Sequence, residues 1–129
     1  MSIEAVALTD KCEDKKILDK FLNVLVKANV QQTRKYGHSL IKSNYLNKQV
    51  QPFISESATR LLLKAVESVS DLTCKKFWSI EDVELANKSA NWTKKHISES
   101  EEVGSQSLEA AKQFLSACAE FKIEIRIWY

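Results

Sequence analysis

Two histidines, three cysteines and one acidic cluster are the groups on this chain with which catalysis or metal binding would have to work. His38 and His96 stand far apart, and neither belongs to a His-Glu-x-x-His or Glu-x-x-His spacing, so zinc and di-iron helical sites lack their ligand sets. His96 follows Trp92 by four residues and precedes Glu99 by three, a spacing that sets imidazole and carboxylate on one helical face. A partly exposed surface histidine is the plainer account of it. Cys12, Cys74 and Cys118 have no local histidine partner, and apolar neighbours such as Leu72, Phe77, Phe114 and Leu115 predict buried thiols rather than activated thiolates. Glu81, Asp82 and Glu84 resemble a carboxylate pair for acid/base work, but negative charge at a helix start is explained by the helix dipole alone. Neither Gly-x-x-x-x-Gly-Lys-Ser/Thr nor Gly-x-Gly-x-x-Gly occurs, so no nucleotide cradle is recognisable. The expectation is a chain with no catalytic residue, no metal ligand and no cofactor, which is not an enzyme.

Binding chemistry is better represented, in two segments. Phe121-Lys-Ile-Glu-Ile-Arg-Ile-Trp-Tyr129 alternates strictly, with Phe121, Ile123, Ile125, Ile127 and Tyr129 on one face and Lys122, Glu124, Arg126 and Trp128 on the other. A period of two and three β-branched residues predict a strand over 121–129. Its amides and carbonyls need partners: residues 2–8, residues 49–55, or a strand from another molecule. Pairing with residues 2–8 would merely close the molecule, whereas pairing with a copy or a target would make the tail an interface. On the second reading Phe121, Ile123, Ile125, Ile127, Trp128 and Tyr129 are the partner-binding residues, with the terminal aromatics as anchors. The other segment is the acid-free interval 20–55. In helical form it sets Lys27, Arg34, Lys42 and Tyr45 along one surface, beside Lys35. Such a stripe neutralises phosphates while tyrosine stacks on bases, which makes these five residues the alternative anionic-ligand or nucleic-acid site. A solvated helix face explains the same pattern. Sixteen lysines against three arginines predict weak specificity and strong salt dependence for any such binding.

Four helical patterns would position these segments. Asp10 and Glu13 give a start signal, after which Ile17, Leu18, Phe21, Leu22, Leu25 and Ala28 share one face. The stripe thins beyond Val30, with a break or bend at Gly37 and a stop before Pro52. From Ser55 a second broad face runs through Ala58, Leu61, Leu62, Ala65, Val66 and Val69. Ser79 and Asp82 mark the next start, with Trp78 and Val83 placed as a hydrophobic staple and an apolar line running on to Ile97. Residues 98–105 read as a loop, and a last helix from about Ser105 turns Leu108, Ala111, Phe114, Leu115 and Cys118 inward. The expected fold is mainly α: a single domain over 1–129, a small bundle of four to five helices with a C-terminal strand.

Composition agrees with one core. The 129 residues are 44% hydrophobic, and two Gly and one Pro are too few for a turn-rich sandwich, barrel or propeller. Net charge is only +2, but residues 1–64 carry +5 and residues 65–129 carry −3, so the halves attract. Three widely spaced cysteines form no disulfide pattern, no apolar run reaches the roughly 20 residues that span a bilayer, and residues 1–10 do not read as a secretory signal. These features predict a cytoplasmic protein without membrane contact. We read it as an interaction module, an adaptor, inhibitor or immunity-type binder, which takes a protein partner or a second copy of itself. Nucleic-acid or anionic-ligand binding is the alternative, and a small enzyme comes third.

Overall fold

The computed structural model describes residues 3–9, 12–27, 52–69, 71–93 and 104–128. In chain order these form β1 (Glu4–Leu8), α1 (Lys15–Lys27), β2 (Phe53–Ile54), α2 (Glu56–Ala65), a 3-10 turn (Leu72–Cys74), β3 (Phe77–Trp78), α3 (Ile80–Ser89), α4 (Gly104–Glu120) and β4 (Glu124–Trp128). The C-terminal alternation forms a strand over Glu124–Trp128 rather than from residue 121, because Phe121 and Lys122 make the turn that leaves α4. Among the described residues the fold is an α+β arrangement of four helices and a four-stranded antiparallel sheet in the order β2-β1-β4-β3, which corrects the expectation of a helical bundle.

The physical reason lies in the backbone of β4, whose polar groups are matched within the chain on both sides. β1 pairs with it along its whole length, from Glu4 opposite Trp128 to Leu8 opposite Glu124. On the other side Phe77 faces Arg126, Trp78 faces Ile125, and the Ile127 amide donates to the Lys76 carbonyl at 2.7 Å. β1 in turn pairs with β2, Ala5 opposite Ile54 and Val6 opposite Phe53. Its remaining amides are also used. Ala7 donates to the Pro52 carbonyl at 2.9 Å, and Ala5 donates to Thr59 Oγ1 at 3.0 Å. Thr59 is fully buried on α2, and its hydroxyl donates onward to the Ile54 carbonyl at 3.4 Å. One side chain thus ties a helix to two strands.

Helix boundaries follow from caps. At α1 the cap is Asp14, whose Oδ1 accepts from the amides of Lys16 and Ile17 at 2.9 and 3.3 Å; the expected start at Asp10 lies outside the described residues. Ser55 caps α2 by accepting from the Ala58 amide. α2 ends at Ala65, one turn before Val69, and α3 ends at Ser89, before the predicted line reaches Ile97. α3 opens with a reciprocal capping box, in which Asp82 N–H donates to Ser79 Oγ at 3.2 Å and Ser79 N–H donates to Asp82 Oδ2 at 3.1 Å. α4 ends in a left-handed residue, Lys122 at φ 56°, and the Ile123 amide reaches back to the Cys118 carbonyl at 2.9 Å. This six-to-one closure turns the chain from α4 directly into β4.

Sheet and helices make two layers. Ala5, Ala7, Ile54, Trp78, Ile125 and Ile127 point from the inner face of the sheet into the core, where they meet Leu18, Phe21 and Leu25 of α1 and Leu61 and Leu62 of α2. α4 packs against each of the other three helices and contributes Ala111, Phe114, Leu115 and Cys118. Among the described residues no helix is long and apolar enough to cross a membrane.

Candidate interaction surface

The alternation of β4 divides the predicted partner-binding set between two environments. Ile123, Ile125 and Ile127 are exposed by 3%, 0% and 1%, so the fold uses them in its own core and a partner has no access to them. Phe121 is half-buried at the turn after α4, its ring edge-on to Phe21 with centroids 5.9 Å apart. Trp128 lies on the opposite face and is 43% exposed, with the Arg126 guanidinium 4.3 Å from its ring centroid. Tyr129 lies outside the described residues.

That outer face is built from every second residue of the strands: Glu4, Val6 and Leu8 of β1, Phe53 of β2, Phe77 of β3, and Glu124, Arg126 and Trp128 of β4. Its β1–β2 half contains Val6 and Phe53, both buried. Its β3–β4 half contains Phe77, 42% exposed, directly across from Arg126. Two large rings therefore flank a cation on adjacent strands, all three accessible from one side of a hydrogen-bonded sheet. Aromatic rings offer large contact area with few rotamers to order, arginine joins them among the residues enriched at binding hot spots, and a guanidinium over indole adds a cation–π attraction. Arg126 was legible from the alternation that places it with Trp128. Phe77 was not, because a two-residue strand leaves no periodic signal.

The remaining candidates are placed apart from this surface. Lys27 is exposed at the end of α1, beside an open groove shared with Val24, Glu109 and Gln113. Arg34, Lys35, Lys42 and Tyr45 of the basic segment, together with His38 and His96, lie outside the described residues. The acidic cluster has structural work to do. Burial alone would raise the Asp82 pKa, but the Lys75 hydrogen bond, the Ser79 amide and hydroxyl and the Lys75 charge together hold it below the usual carboxylate value. Lys75 Nζ sits 3.0 Å from Asp82, and Lys122 Nζ sits 3.1 Å from Glu84.

The thiols differ from one another. Cys118 is fully buried, and burial pushes its thiol well above the ordinary cysteine pKa. Cys12 is half-buried, its thiol donating to the Asp14 carbonyl at 3.6 Å. Cys74, expected inside, is exposed, because the 3-10 turn directs Leu72 into the core instead. None of the three is in a disulfide. Among the described residues no group of three or more His, Cys, Asp or Glu side chains converges as a metal site. Compared with known proteins, the chain matches no family model, no curated protein and no solved structure.

Proposed function

We propose that this chain is a small protein–protein interaction module that acts by stoichiometric contact, as an adaptor, inhibitor or immunity-type binder, and that its contact surface is the outer sheet face at Phe77, Arg126 and Trp128. The observation that carries the reading is the joint exposure of Phe77 and Trp128, 42% and 43%, on either side of Arg126. Side chains of these types dominate binding energy where a partner desolvates them. Pairing of β4 with β1 along its length supports the reading further, since it holds these side chains on a fixed backbone and reduces the ordering cost of association. Three thiols outside any disulfide support the cytoplasm as the compartment.

The test is a photoreactive benzophenone side chain placed at position 128 and irradiated in the native cell. The proposal expects one adduct of defined mass that is lost on adding Arg126→Glu and Phe77→Ser, with the far-UV circular dichroism of the variant unchanged. An adduct of twice the chain mass identifies the partner as a second copy. Failure to form an adduct, or an adduct indifferent to both substitutions, overturns the proposal.

A further inference from the structure

We draw no further inference here: the strongest candidate, the open groove of about 370 Å³ between α1 and α4 lined by Val24, Lys27, Glu109 and Gln113, carries nothing because nothing in the structure shows what covers it.

Discussion

Replacing Ile125 by alanine tests the division of β4 into an inner and an outer face. The side chain is fully buried and lies between Ala7 on β1 and Trp78 on β3. Truncation removes three carbons, worth about 2.4 kcal/mol at about 0.8 kcal/mol per buried methylene. The cavity left behind adds to this, and its surroundings close poorly. Ala7 has no side chain long enough to fill it, and the Trp78 indole is held by its Nε1–H donating to the Leu72 carbonyl at 3.1 Å. We therefore expect a loss of about 3–4 kcal/mol, in the middle of the ~2–5 kcal/mol range for large-to-small core changes. With a urea dependence of roughly 1–3 kcal/mol per molar, the unfolding midpoint falls by at least about 1 M. Trp128→Ala is the matched comparison on the outer face. It removes a half-buried ring, worth about half of the roughly 1.5–3 kcal/mol of a fully buried large side chain, and a surface cation–π contact worth about 0.5–1 kcal/mol, so its total cost stays near ~2 kcal/mol and below that of Ile125→Ala. Both variants are followed by far-UV circular dichroism during urea titration, at neutral pH and one protein concentration. Equal losses, or a larger loss from Trp128→Ala, would refute the assignment of inner and outer faces.

Other substitutions address the joints of the fold. Thr59→Val keeps the shape of the side chain but strips the acceptor from the buried Ala5 amide, so it should cost about 1–3 kcal/mol in urea midpoint analysis, whereas Thr59→Ser keeps the hydroxyl and costs less; the reverse order counts against the bridge. Ser79→Ala removes the α3 cap and should lower stability by about 1 kcal/mol, a value read from the same titration. Asp82 titrates lower in the folded chain than in the unfolded one, so its contribution is present above the unfolded pKa of about 3.9 and is lost as pH falls through the folded value. Asp82→Asn should therefore flatten the acid side of the stability profile below about pH 4 and leave the slope near pH 7 alone. In a native thiol titration Cys74 should react first, Cys12 more slowly, and Cys118 only when the molecule unfolds; three equally fast thiols would contradict the burial of Cys118.

What could be read from the sequence follows the length of each element and the way its faces are buried. The helices announced themselves because Leu18, Phe21 and Leu25, or Ala58, Leu61 and Leu62, recur at helical spacing along ten or more residues. β4 did so because one face is buried and the other is not, leaving strict alternation. β1 is buried on both faces over Glu4–Ala7, so it shows a nearly continuous apolar run that a helix could equally use. It was recognisable only as a possible partner for the tail. β2 and β3 have two residues each, too few for any period, and their extended form is dictated by the strand beside them. The candidate surface divides the same way. Arg126 and Trp128 were visible as neighbours on one face of β4, but the third member, Phe77, comes from a strand fixed only by tertiary pairing.

The sheet topology also bears on the proposed mode of recognition. Strand addition needs an open edge with a row of unsatisfied amides and carbonyls. Here the longest strands, β1 and β4, are the two central ones, and each outer position is held by a two-residue strand. Beyond β1, the amides of Ala5 and Ala7 are taken by Thr59 and Pro52; beyond β4, the Ile127 amide is taken by Lys76. A tail that looked outward from its own sequence is thus closed along its backbone, and what remains accessible on it are side chains of one face. Under the proposed function a partner would therefore dock onto Arg126 and Trp128, with Phe77 alongside, and its specificity would reside in ring and guanidinium contacts rather than in main-chain register.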